Sequence, residues 1–304
     1  MNNRNLILVT GAPRTATTPV GNMLATARRA VTLYEPLGPT GVQGVDAWMP
    51  MVGDGLGLSA SAVDQLISDL SGLRPGPLKT QQRPRQDFSL KRALFGSRTL
   101  HSFRLASLQP WSQAVIWKDP HANMLATDVA LRGVPVVVTA RRAKAHASSY
   151  RRLGWVSRAA EIYPRWAQRF GACPVVEGAL GKAQDSIISS ALIWRMSYLP
   201  LIRENCLDRV HLVTSDALVA DERATYTRLF DRLGLVQTAA TEKLLTAEKS
   251  ATRSRPDSKT SHDWTRSVAA VNSYWKELLT DDDAAQVDRL TGDVEEALFG
   301  SVQS

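Results

Sequence analysis

A chain of 304 residues with 44% hydrophobic content is long enough for one large α/β core or two small ones. Its 22% charged residues lie near the globular average, which excludes disorder throughout, and no apolar run reaches the ~20 residues of a bilayer span. The formal net charge of +8 favours anionic ligands by steering, while its spread along the chain, with no basic arm, argues against a nucleic-acid partner.

Asn5 to Thr10 is a short apolar run, rich in β-favouring residues and ending at Gly11, as in a buried strand. It carries no signal-type region with a cleavage site, so a soluble cytoplasmic protein is expected. From Thr17 to Ala30, Val20, Met23, Leu24 and Ala27 recur at helical spacing. Tyr34 to Gly41 holds two prolines and two glycines and breaks regular structure. Ser61 to Ser71 puts Val63, Leu66, Ile67 and Leu70 on one helix face, and Arg74 to Phe88 reads as a basic surface loop.

Ala114 to Lys118 reads as a strand, followed by a turn at Asp119 and Pro120 and a helix to Arg132. Pro135 to Ala140 is the strongest strand pattern, with a helix behind it from Lys144 to Leu153. A long helix over Ser186 to Asn205, a strand over Arg209 to Thr214 and a helix over Arg223 to Leu233 follow. Residues 236–262 lose periodicity, and helices over Trp264 to Leu279 and Asp281 to Leu298 close the chain. Strands alternating with helices imply a mostly parallel central sheet flanked by helices on both faces. No linker separates two cores, so residues 1–304 read as one domain with long loops at about 38–60, 74–112 and 154–185. Cys173 and Cys206 show no metal-ligand spacing and build no disulfide framework; they are expected as buried free thiols.

The segment Thr10 to Thr18 sits where parallel sheets bind anions, between a strand's carboxyl end and a helix start. Against the nucleotide loop pattern G-x-x-x-x-G-K-S/T, Gly11 and Thr18 fit, but Ala16 replaces the second glycine and Thr17 stands at the lysine. An ATP-using enzyme needs that lysine on the β/γ-phosphates. The cation here is Arg14 instead. The string G-x-P-R/K-S/T-G/A-T-T after a buried first strand resembles the 5′-phosphosulfate loop of sulfotransferases that use 3′-phosphoadenosine 5′-phosphosulfate (PAPS). That resemblance places Gly11, Pro13, Arg14, Thr15, Ala16, Thr17 and Thr18 on the donor, with Ala16 standing for the usual glycine. It also implies a three-layer P-loop-like sandwich.

The same family grips the 3′-phosphate with an arginine ending a central strand and a serine eight residues on. Arg141 and Ser149 have that spacing, although the run reads Arg-Arg-Ala at Arg141, Arg142 and Ala143 where the family has R-D/N-P. A planar guanidinium donates two parallel hydrogen bonds to phosphate oxygens. Two grips suit a nucleotide phosphorylated at both 3′ and 5′ positions, whereas a nucleoside triphosphate needs one. The late stretch from Arg253 to Trp264 resembles the family's basic closing loop, with Arg253, Arg255 and Lys259 as expected contacts.

Sulfuryl transfer to an alcohol needs a cation on the bridging oxygen, donors for the transferred oxygens and a base for the acceptor proton. Arg14 suits the first role; loop N–H groups with the Thr17 and Thr18 hydroxyls suit the second. Two bases are open: Glu35, whose Glu-Pro resembles carbohydrate-type sulfotransferases, and His121, near the family's K-x-H but one residue longer in spacing. Lys118 would point into the same cleft. This logic requires no metal, and no metal-ligand spacing is present.

The resemblance thus implies transfer from PAPS, with the 3′,5′-bisphosphate PAP as product, to a hydroxyl of a small molecule, sugar or glycosylated metabolite. The three long loops would shape the acceptor side, with Trp48, Trp111, Trp155 and Trp166 either stacking on the acceptor or filling core. A P-loop small-molecule kinase using ATP–Mg²⁺ is the alternative, and a non-catalytic nucleotide- or RNA-binding protein the rival from another class.

Overall fold

The computed structural model describes residues 4–74, 76–79, 97–247 and 272–300. Its centre is a five-stranded sheet of β1 (Asn5–Thr10), β2 (Ala30–Tyr34), β5 (Ala114–Lys118), β6 (Val136–Ala140) and β7 (His211–Thr214), in the order β2-β5-β1-β6-β7. All four pairings are parallel. The remaining strands, β3 (Met51–Val52) and β4 (Gly57–Leu58), form a separate two-stranded ladder.

Alternation along β1 divides the core between the two faces of the sheet. Leu6 and Leu8 join Val31, Leu33, Val115, Trp117, Val136 and Val138 on one face. That face is covered by the helices Ala60–Ser71, Ser186–Arg203 and Asp281–Gly300, whose buried residues belong to the same cluster. Ile7 and Val9 turn to the other face with Ile116, Val137 and Val213, beneath the helices Thr17–Leu24 and Glu222–Arg232. The result is the expected helix–sheet–helix sandwich.

The chain leaves β1 toward β2 and β5 on one side and later places β6 on the other. A crevice therefore opens at the carboxyl end of β1, the topological switch point of such sheets. The loop Pro13 to Thr18, Glu35, Lys118, His121, Arg141 and Ser149 all line it.

Three readings are corrected. The first helix stops at Leu24, because Ala30–Tyr34 forms edge strand β2; its alternating inward residues Val31 and Leu33 are a strand pattern. The region 74–112, read as loop, contains the helix Arg98–Ser107, capped by the Ser97 hydroxyl, which accepts from the Leu100 N–H at 3.1 Å. The region 154–185 contains the helix Ala159–Phe170, which buries Ile162, Tyr163 and Trp166. Trp166 is core and Trp48 packs partly against it, whereas Trp111 is exposed. Cys173 and Cys206 are buried and free. Among the described residues, no helix is long and apolar enough to cross a membrane.

Candidate functional site

The loop after β1 is built by backbone demands that only small or held residues meet. A Cβ on Gly11 would stand 2.3 Å from the Thr139 carbonyl oxygen, so glycine lets β1 and β6 close at their tips. The Thr15 hydroxyl turns inward, donating to Ala12 O at 2.7 Å and lying 3.1 Å from the Thr139 hydroxyl. Thr15 is thereby a brace of the loop. Arg14 and Ala16 both take left-handed φ, 76° and 71°, which costs L residues roughly 1–2 kcal/mol each. Ala16, which stands for the usual glycine, is thus strained in this chain.

A cavity of about 700 Å³ opens above this loop, lined by Pro13 through Thr18 together with Glu35, Lys118, His121, Arg141 and Ser149. The structure therefore brings the two segments expected to grip phosphate to one space. They touch: Arg14 Nε donates to Ser149 Oγ at 3.3 Å. The Arg14 guanidinium also lies over the Trp155 ring, 5.6 Å from its centroid. Burial first, and the neighbouring Arg152 guanidinium second, hold Arg14 below its usual pKa. Arg152 lines the same cavity and follows Ser149 by three residues on the helix Ala143–Leu153, so both sit on one face. Sequence reading missed Arg152, though that spacing could have revealed it.

Of the two arginines after β6, Arg141 lines the cavity and Arg142 turns away. Arg142 pairs with Asp216 at 2.7 Å and Glu295 at 3.2 Å. Arg141 is buried, and its Nε donates to Asn272 Oδ1 at 3.3 Å. Arg253, Arg255 and Lys259 lie outside the described residues.

On the other wall, buried Lys118 reaches Glu35, Nζ to Oε1 at 2.7 Å, and passes over the Tyr34 ring at 4.1 Å. Its stem crosses the first helix at Gly21, where a Cβ would come within 2.8 Å of Lys118 Cγ. Glu35 holds a left-handed φ of 51°, fixed by its N–H donating to Lys118 O at 2.8 Å. Buried Asp119 ties this wall together: Leu37 N–H donates to one oxygen at 2.6 Å and His121 N–H to the other at 2.9 Å. Burial pushes the Asp119 pKa up. The His121 ring packs edge-on to Trp48 at 4.4 Å, and its buried Nδ1 has no hydrogen-bond partner among the described residues. Among the described residues, no group of three His, Cys, Asp or Glu side chains could hold a metal ion.

Beneath the site lies a set of residues that sequence reading did not find. Fully buried His146 places Nε2 2.7 Å from Pro13 O and Nδ1 2.7 Å from Ser190 Oγ. A carbonyl only accepts, so Nε2 carries the proton and Nδ1 accepts from Ser190. Trp194 Nε1 donates to Arg141 O at 2.8 Å. The Tyr198 hydroxyl donates to Thr139 O at 2.8 Å and accepts from Ala12 N–H at 3.2 Å. These contacts join elements far apart in sequence, and no local pattern announces them.

Among solved structures, the chain is similar to the sulfotransferase domain from the Synechococcus PCC 7002 olefin synthase, at 15% identity and a TM-score of 0.43, with 95% of each chain covered. It is also similar to the sulfotransferase domain from the curacin biosynthetic pathway, at 13% identity and a TM-score of 0.45, covering 96% of this chain and 97% of that one. No family model and no curated protein matches it.

Proposed function

We propose that this chain is a sulfotransferase that moves the sulfuryl group of PAPS to a hydroxyl of a small-molecule, sugar or glycosylated-metabolite acceptor. The observation that carries the reading is the meeting of both phosphate motifs in one cavity, with Arg14 bonded to Ser149 at 3.3 Å. The charge of the lining suits such a donor. Its cations are Arg14, Lys118, Arg141, Arg152 and Arg158, against the carboxylates Glu35 and Glu222.

In this reading Arg141 and Ser149 hold the 3′-phosphate, and the loop from Pro13 to Thr18 holds the 5′ end. The acceptor oxygen forms a bond to sulfur as the bond from sulfur to the bridging phosphate oxygen breaks, leaving PAP. Arg14 stabilises the charge that gathers on that oxygen. Glu35 takes the acceptor proton, oriented by Lys118 at 2.7 Å, and the carboxylate already faces the cavity. His121 Nδ1 is enclosed, so that nitrogen is out of an acceptor's reach. Trp48 and Trp155 offer apolar walls to the acceptor.

The kinase alternative lacks a cation at Thr17, which is buried at the helix start. The deciding test is transfer: the chain is supplied with PAPS and a panel of phenols, alkyl alcohols and sugars, and PAP release is followed. Acceptor-dependent PAP formation without ATP supports the reading. Phosphorylated products formed only with ATP–Mg²⁺ would replace it with the kinase.

A further inference from the structure

We infer that Ser190, Trp194 and Tyr198 form a positioning row that holds the two phosphate motifs at a fixed spacing, with Ser190 acting through His146. These three residues stand at i, i+4 and i+8 on the helix Ser186–Arg203, hence along one face and about 12 Å of its axis. Trp194 and Tyr198 end on main chain of the site, and Ser190 reaches it through His146. Trp194 Nε1 donates to the Arg141 carbonyl, at the first residue after β6. The Tyr198 hydroxyl joins Ala12, in the β1 loop, to Thr139, in β6. Ser190 donates to His146 Nδ1, which fixes the tautomer whose Nε2–H donates to Pro13 O at 2.7 Å.

The Pro13 contact has a geometric consequence. In a trans planar peptide the C=O and the following N–H point in opposite directions. Turning the Pro13 carbonyl onto buried His146 therefore sends the Arg14 N–H the other way. Arg14 holds a φ of 76°, a conformation that a non-glycine residue keeps only where its surroundings over-determine it. His146 supplies that constraint, and it is buried with Ser190. Release of Pro13 O would let this peptide turn and remove a donor from the loop. Release of the Arg141 carbonyl would instead loosen the residue that leads into the helix bearing Ser149. The row thus acts on the 5′ grip at one end and on the 3′ grip in the middle, and Tyr198 ties the two strands together.

The inference takes its ligand from the nucleotide reading above, so the test includes a ligand-free arm. Wild type, Ser190→Ala and Trp194→Phe are titrated calorimetrically with adenosine 3′,5′-bisphosphate, 5′-AMP and 3′-AMP. Ser190→Ala should weaken the two 5′-phosphorylated ligands roughly tenfold, the scale of one hydrogen bond, and spare 3′-AMP. Trp194→Phe should weaken the two 3′-phosphorylated ligands and spare 5′-AMP. Equal losses for all three ligands, or none, would overturn the positioning role, since a structural defect does not sort ligands by phosphate.

Hydrogen exchange on the unliganded proteins reads the same row without a nucleotide. Ser190→Ala should speed exchange at residues 14–16 and leave 142–144 unchanged, and Trp194→Phe should do the reverse. Uniform or absent changes would overturn the row. If wild type binds none of the nucleotides, the donor reading falls and the exchange data alone decide the row. Should Trp194→Phe fail to fold, Tyr198→Phe, which deletes one oxygen, takes its place, and faster exchange is then expected in both segments.

Discussion

His146 makes the fold sensitive to mild acid in a way that can be worked out from its surroundings. Complete burial, helped by the Arg141 and Arg14 guanidiniums, lowers its pKa from 6.5 to about 3, against the opposing pull of its bond to Pro13 O. The unfolded chain therefore takes up the proton first. His146's contribution to stability is whole above pH 6.5 and drains as pH falls from 6.5 toward 3. One pH unit is worth about 1.36 kcal/mol, so the interval down to pH 5 removes about 2 kcal/mol. The assay is urea unfolding of wild type and His146→Gln at pH 7 and pH 5. Gln cannot titrate, yet its amide can still donate to Pro13 O. Other groups, such as Asp119, whose raised pKa acts in the opposite direction, and His211, whose pKa burial lowers, are shared by both proteins and cancel. Wild type should lose about 2 kcal/mol more than the variant over this interval. Equal losses would show that His146 does not stay neutral in the fold.

Arg14→Ala should cut sulfuryl transfer by about 10² or more while the protein stays folded, measured as PAP release; retained turnover would remove Arg14 from the mechanism. Glu35→Gln keeps the shape of the side chain and should lower kcat by about 10²–10⁴, and a change confined to KM would rule out its role as base. Ala16→Gly relieves a φ of 71° and should raise stability by up to about 1 kcal/mol after the extra chain entropy of glycine. A lower thermal midpoint in that variant would contradict the strain.

The parts of the site that follow one another in sequence were legible. The β1 run, the loop and the helix start announce themselves through a continuous apolar stretch that gives way to helical spacing, with Gly11 at the join. Arg141 and Ser149 were named through the family resemblance that their spacing carries, but only the fold separates Arg141 from Arg142: Asp216 and Glu295 draw Arg142 off the cavity. Strand β2 was lost because Ala27, buried in the turn after the helix, extends the helical pattern beyond Leu24. Lys118 and Glu35 were both named, yet their pairing depends on β2 lying beside β5, with Tyr34 opposite Lys118. His146, Ser190, Trp194 and Tyr198 were invisible for a related reason. A buried polar residue is meaningful through its partner, and these partners come from helices, strands and loops 44 to 186 positions away.

The most direct test of the donor reading is calorimetric binding of adenosine 3′,5′-bisphosphate against 5′-AMP and ATP–Mg²⁺, with wild type and Arg141→Ala side by side. Preference for the bisphosphate, lost in Arg141→Ala with 5′-AMP binding unchanged, is the predicted result. Preference for ATP–Mg²⁺, or equal loss of both ligands in the variant, would contradict it.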